Sequence, residues 1–398
     1  MQSNLWELFW EGYKIDSWQE LGEGALRIRL VATGDGACGG CGALAPQVHE
    51  TQWRRVRDLD LLDRRLWLEL PVRRVCCPRC GVKRERIAWL GEHQRLAHRL
   101  VRQVEALCRV LPIQHVARHL GLSWHTVKRI DKARLQRELP PLDYRSLRRL
   151  VMDEFALHKG HRYASVIADA ETRQVLWIGE GRSREAVRPF FQELGAHCAQ
   201  IEAVAMDQNS AFDLEVKAHC PNAEVVYDLF HIVAKYGREV IDRVRVDQAN
   251  ALREDKPARQ AVKRSRWLLL RNRDNLSDDQ ATRLDALMSL NAPLAQVYIL
   301  KDQLKELWRC PSPWSAYRLW RAWWRMAQQS GLKPLIAFAR KLKPYLRGIL
   351  ASARFPLNTS VLEGINNKIK VIKRMAYGYR DTEYFFLKIK YAFPGIRR

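Results

Sequence analysis

Three carboxylates in this chain stand where ordinary solvation does not account for them. Asp153 follows Leu150, Val151 and Met152 in an apolar run. A charge there is costly unless it is paired or holds a metal. Asp207 comes directly after Val204, Ala205 and Met206, at a strand end of the kind where α/β proteins place ligand sites; a turn-forming aspartate is the alternative. Glu363 lies in NTSVLEGINNKIKVIKR, and every other charged residue between Glu306 and Asp381 is Lys or Arg. Ser360-x-x-Glu363 also has the form of a capping box, and an acid in a first helical turn interacts well with the helix dipole. Asp153 and Asp207 together are candidates for paired metal binding.

The cysteines suggest a second kind of chemistry. Cys38-Gly-Gly-Cys41-Gly and Cys77-Pro-Arg-Cys80-Gly are two C-x-x-C-G turns thirty-five residues apart. Two such knuckles complete a closed tetrahedral Zn²⁺ site. The intervening RRLWLELPVRRV alternates as a strand feeding the second knuckle. Cys76 adjoins a ligand without being one, and His49 is a weaker substitute. Cys108, Cys198, Cys220 and Cys310 are isolated and read as core thiols.

Elements must position these groups. In PIQHVARHLGLSWHTVKRIDKARL, Ile113, Val116, Ala117 and Leu120 mark one buried helical face. Gly121 stops that helix and Ser123 caps the next. Val127 and Ile130 point inward, which leaves His125, Lys128, Arg129 and Lys132 outside. This is a helix-turn-helix pattern whose second helix enters a major groove, with an ordinary helical hairpin as the alternative. Pro140-Pro141 marks a linker.

Beyond the linker the period changes to that of strands. RRLVMDEFAL and RYASVIADAETRQVLWIGEG read as three strands, the last two joined by a turn at Asp169 to Thr172. A helix, a strand ending in Asp207, a short helix, and a strand entering another helix follow. That order fits a mixed α/β sheet of the ribonuclease-H type. Glu154 is expected on the sheet face opposite Asp153. Asp228 follows a strand and caps the next helix, which carries His231.

From 236 to 355 the chain reads as helical and rich in Trp, most of it core. Arg264, Arg266, Arg271 and Arg273 read as a solvated or phosphate-facing stripe. On the last basic helix Leu362, Ile365, Ile369 and Ile372 form the buried stripe. Glu363, Asn367, Lys370 and Arg374 form the polar face.

At 398 residues the chain is too long for one ordinary core, and 47% hydrophobic residues with fourteen Trp call for packed domains. The net charge of +24 calls for a polyanionic partner, nucleic acid first. No apolar run reaches transmembrane length, and the N-terminus lacks the pattern of a signal peptide. The odd cysteine count of nine fits a reducing cytosol. No Gly-rich loop ending in Gly-Lys-Ser/Thr supports ATP use.

VMDEFALHKGHRYASVIADAETRQV, VAMDQNSAF, AEVVYDLFHIV and NTSVLEGINNKIKVIKRMAYGYRD stand in that order after the double zinc knuckle and helix-turn-helix. Together they resemble bacterial insertion-sequence transposases of the ISL3 family, which belong to the DDE transposases. The resemblance is weakest between about 236 and 355, and the extra Cys76 departs from the family's second zinc half. It implies Asp153, Asp207 and Glu363 as catalytic ligands of two Mg²⁺ (or Mn²⁺) ions. Asp228 and His231 resemble a D/C-x-x-H signature and line the site. Cys38, Cys41, Cys77 and Cys80 hold structural Zn²⁺, while His125, Lys128, Arg129, Lys132, Lys370 and Arg374 hold DNA.

The fold class this implies is multidomain α/β. A zinc-ribbon-like domain spans 1–93 and a helix-turn-helix 94–140. The ribonuclease-H-like catalytic domain begins at 145–235, an all-α insertion fills 236–355, and 356–398 returns the Glu. The expected function is binding of terminal inverted repeats and target DNA, with strand cleavage and strand transfer. The expected setting is a homodimer on double-stranded DNA, in the bacterial cytoplasm with the nucleoid and away from membranes. The alternatives are a zinc and helix-turn-helix regulator with an inactive remainder, or a structure-selective ribonuclease-H-like nuclease.

Overall fold

Backbone contacts divide the chain into two units, Met1–Glu138 with Met375–Tyr377, and Leu139–Arg374 with Gly378–Arg398. The computed structural model describes residues 8–396 apart from 23, 92–93, 159, 161 and 358–359, and the backbone alone at Ser360. The capping box expected of Ser360 therefore lies outside the described residues.

The first unit starts with β1 (Tyr13–Leu21), β2 (Ala25–Ala32), β3 (Gly36–Ala37), β4 (Leu44–Ala45), β5 (Val48–Arg57), β6 (Arg65–Cys77) and β7 (Gly81–Arg84). The main sheet runs β1-β2-β6-β5, with β7 on the end of β6. Its β2–β6 pairing is parallel and the others are antiparallel. Alternation along the strands turns Ile28, Leu30, Val56, Leu66, Leu68 and Leu70 into one core.

Three helices follow: α1 (His98–Cys108), α2 (Ile113–Leu120) and α3 (Trp124–Glu138). Val116, Ala117, Leu120, Val127 and Ile130 are all buried between them, as their spacing requires. Gly121 takes a left-handed φ of 61° at the turn, and a Cβ there would strike the Arg65 guanidinium at 2.8 Å. Thr126 N donates to Ser123 Oγ at 3.2 Å, the expected cap. Fully buried Asp58 fixes these helices to the sheet by accepting from Trp10 Nε1 at 2.9 Å and Arg99 Nε at 2.7 Å.

The second unit is built on β8 (Arg149–His158), β9 (Arg162–Asp169), β10 (Val175–Glu180), β11 (Ala203–Met206) and β12 (Glu224–Tyr227). The sheet order is β10-β9-β8-β11-β12. The first three strands are antiparallel, and β11 is parallel to both β8 and β12. On one face Leu150, Met152, Val204 and Met206 pack with α4 (Arg184–Leu194) and α5 (Ser210–His219).

From Leu229 to Ala351 every element among the described residues is helical. The α-helices there are α6 (Leu229–Tyr236), α7 (Asp242–Ala251), α8 (Lys256–Arg264), α9 (Arg266–Leu270), α10 (Asp278–Leu290), α11 (Ala292–Glu306), α12 (Pro313–Gln329), α13 (Lys333–Leu342) and α14 (Leu346–Ala351). Helix α14 covers the edge strand β12. Gly348 permits that approach, since a Cβ there would meet the Tyr227 ring at 2.5 Å. Trp320 and Trp323 are core, while Trp267 and Trp314 are exposed. The arginine stripe is partly neutralised, because Arg266 pairs with Asp242 and Arg273 with Asp285.

The other sheet face carries Val151, Phe155, Ala203 and Ala205. It is covered by α15 (Ser360–Met375), through Leu362, Ile365 and Ile369, and by α16 (Thr382–Ala392). No helix among the described residues is long and apolar enough to cross a membrane.

Candidate active site and metal centre

Register explains why acids gather at one end of the second sheet. Strand β11 pairs with β8 only as far as Val151 and with β12 as far as Tyr227. Asp207 and Asp228 are thus the first residues beyond two adjacent parallel strands, and Asp228 N donates to Met206 O at 3.0 Å. Past Val151 the β11 side of β8 is uncovered, so Asp153 opens onto the same end. All three line a cleft of about 940 Å³ with Glu363 and Lys370 of α15.

Each acid has its own support. Asp153 accepts from Glu154 N at 2.8 Å and from Asn366 Nδ2 at 2.6 Å. Asn366 Oδ1 is buried with no hydrogen-bond partner. Burial, with the charge of Asp207 behind it, pushes the Asp153 carboxyl up to about 6. Burial and then the Glu154 charge also raise Asp207, against the opposing effects of His231 and Lys235. The His231 ring lies between two aspartates, Nδ1 at 3.6 Å from Asp207 Oδ2 and Nε2 at 3.8 Å from Asp228 Oδ2. Asp228 also caps α6 by accepting from Phe230 N at 3.0 Å, so the bland role and the site position hold together.

Glu154 alternates as expected, and its partners lie toward the α4–α5 face: Asn209 Nδ2 at 2.9 Å and Arg182 at 3.3 Å. It still lines the cleft, because the cleft wraps the free edge of β8. From the sequence, Glu154 has its face but no place in the cleft, and Asn366 is passed over altogether. A signal for Asn366 was present, three residues after Glu363 on a helix and so on nearly the same face. Asn367, singled out instead, is exposed, as are Glu363, Lys370 and Arg374. Lys305 and Arg309 add cations to the cleft wall.

Does this site suit a divalent cation? Its donors are hard oxygens, two of the acids are held back from ionising chiefly by burial, and one buried carbonyl oxygen lacks a partner. All three features favour a hard cation such as Mg²⁺. The carboxylates are not a preformed cage, since among the described residues only the four thiols gather within 4.8 Å.

Those thiols are Cys38, Cys41, Cys77 and Cys80, carried on the β3–β4 and β6–β7 turns. Cys41 Sγ lies 3.6 Å from Cys77 Sγ. Backbone N–H groups of Arg79 and Cys80 lower Cys77 to about 7, while neighbouring thiols and burial raise Cys80 to about 12. Sulfur atoms so crowded fit a closed Zn²⁺ site. Cys76 and exposed His49 stand outside the cluster. On the helix-turn-helix, His125 and Arg129 are exposed and Lys128 and Lys132 are half-buried on α3.

Comparison with known proteins matches residues 150–389 to the DDE domain model of ISL3 elements, described as transposase. Residues 85–135 match the helix-turn-helix domain of transposase family ISL3, and residues 35–80 the zinc-finger of transposase IS204/IS1001/IS1096/IS1165. The chain is 56% identical over 394 residues to the transposase for insertion sequence element IS1001 of Bordetella parapertussis, covering 98% of this chain and 97% of that one. It is 25% identical over 402 residues to the transposase for insertion sequence element IS1557 of Mycobacterium tuberculosis, covering 92% and 88%.

Proposed function

Since the chain belongs to the ISL3 family of insertion-sequence transposases, we propose that the acidic cleft cuts DNA at the element's terminal inverted repeats and joins the freed end to target DNA. The single observation that carries this reading is the meeting of Asp153, Asp207 and Glu363 in one cleft, from three separate parts of the sequence. The central β8, flanked by an antiparallel pair and a parallel pair, supports a ribonuclease-H-like core with an all-helical insertion over 236–355. Structural Zn²⁺ on the four cysteines, a homodimer pairing two element ends, and a cytoplasmic, nucleoid-associated setting belong to the same proposal.

Asp153, Asp207 and Glu363 would hold two Mg²⁺ or Mn²⁺ ions, which would supply activation of the attacking oxygen and stabilisation of the leaving one. The rest of the chemistry belongs to the chain. Asn366 Nδ2 fixes one oxygen of Asp153 and leaves its rotamer little freedom. His231 spans Asp207 and Asp228 and keeps their carboxylates from turning away. Lys370 and Arg374 continue down the exposed face of α15 from Glu363, so the helix that brings the third acid also offers cations to DNA phosphates. His125, Lys128, Arg129 and Lys132 on α3 face the repeat sequence.

The test uses full-length protein, duplex carrying the element's ends, and Mg²⁺. Asp153→Asn, Asp207→Asn and Glu363→Gln each abolish cleavage and strand transfer while binding to the ends persists. Glutamine still serves a helix cap. Substantial cleavage by Glu363→Gln would therefore return that glutamate to a capping role and sink the three-acid site.

A further inference from the structure

Outside the cleft, helix α12 concentrates a different chemistry. Between Glu306 and Glu363 the chain has ten lysines and arginines and no acid. The helix buries Ala316, Trp320, Trp323 and Ala327. Its other side exposes Trp314, Tyr317, Arg318, Arg321 and Arg325 at helical spacing. Trp314 is 66% and Tyr317 43% exposed, and the Arg318 guanidinium lies 4.8 Å from the Trp314 ring centre.

Tyr317, Trp320 and Trp324 wall a pocket of about 470 Å³, ringed by Arg321, Arg325 and Lys343. Lys343 Nζ stands 5.6 Å over the Trp324 ring. No ion pair neutralises Arg321, Arg325 or Lys343 among the described residues. Gln328 lines the same pocket, and its Nε2 is buried with no hydrogen-bond partner. A buried amide donor is costly to leave unpaired.

We propose that this pocket binds an unpaired base of single-stranded DNA. The aromatic walls suit the flat face of a base, a contact that tolerates any sequence. A duplex interior offers no such face. Arg321, Arg325 and Lys343 take the phosphates on either side, and Gln328 Nε2 donates to an acceptor on the base edge. An acidic peptide would satisfy the cations but leave the ring faces idle. The proposal takes only the identity of the polyanion, DNA, from the transposase reading.

Titrating the full-length protein with a single strand containing 2-aminopurine tests this without metal or cleavage. Stacking in the pocket quenches the probe. Trp324→Ala removes the quench. The double variant Arg321→Gln/Arg325→Gln binds at least about tenfold more weakly, with a log–log salt slope smaller by about 0.7 for each lost phosphate contact. Gln328→Leu keeps the side chain's bulk, removes the donor and weakens binding, which preserves the test should Trp324→Ala fail to fold. Binding to duplex carrying the element's ends stays unchanged in every variant, so failure of this site is distinguishable from failure of the DNA-binding reading. Wild-type affinity and quenching in these variants would overturn the proposal. A preference for polyglutamate over the oligonucleotide would do the same.

Discussion

Asp153 is held at 2.6 Å by an asparagine whose other amide atom has no partner, so Asn366 is placed to position that carboxylate. Removing such support typically costs 10–100-fold in metal affinity or activity. Asn366→Ala is expected to lower cleavage by about that factor and to raise the Mg²⁺ concentration required, while end binding stays intact. Unchanged Mg²⁺ dependence would mean that the hydrogen bond is incidental. Asp153 also carries a pH signature. Its folded carboxyl titrates near 6, above the ordinary value of 3.8, so the neutral form is favoured by folding. Its contribution to stability is full below about 3.8 and is lost as pH rises through about 6. Between those two limits the loss amounts to at most about 3 kcal/mol. In chelator at pH 8, Asp153→Asn should therefore melt higher than wild type, and the gap should close toward pH 4. A variant that melts lower at pH 8 would contradict the burial of this charge.

At the scale of elements, the zinc knuckles and the helix-turn-helix make separate demands. Freshly purified protein should contain about one Zn per chain by elemental analysis, and Cys41→Ser should lose it and loosen the N-terminal unit. A metal-free yet fully folded preparation would refute the Zn²⁺ site. Replacing Lys128 and Arg129 by Ala should weaken end binding and reduce its log–log salt slope by about 0.9 for each lost phosphate contact. An unchanged footprint would make α3 architectural. These elements were legible because their signals are local: a 3.6-residue period broken at Gly121, and paired C-x-x-C-G turns. Strand β8 was legible for the same reason. The parallel pairing of β2 with β6 was not, since no pattern within either strand names its partner. Nor was the hydrogen bond from Asn366 to Asp153, whose partners lie 213 residues apart. It depends on how α15 is rotated over the sheet, which Leu362, Ile365 and Ile369 settle only once they are buried.

At the scale of the whole molecule, the net charge of +24 draws the chain toward a polyanion such as DNA, most strongly at low salt. Cleavage-dead Glu363→Gln protein should therefore inhibit wild type when mixed in excess, and more strongly than simple dilution of active chains explains if two copies must pair their ends. Inhibition that only tracks dilution would argue against pairing. The order of parts along the chain carries this further. The helix-turn-helix is complete by Glu138, whereas the third acid arrives only at Glu363. If α3 reads the element's ends and Glu363 completes the acidic site, a frameshift or stop codon between them would leave a product able to occupy those ends and unable to cut them. Damaged copies of such an element would then restrain the intact ones around them, so decay of the element in a genome would itself slow its spread.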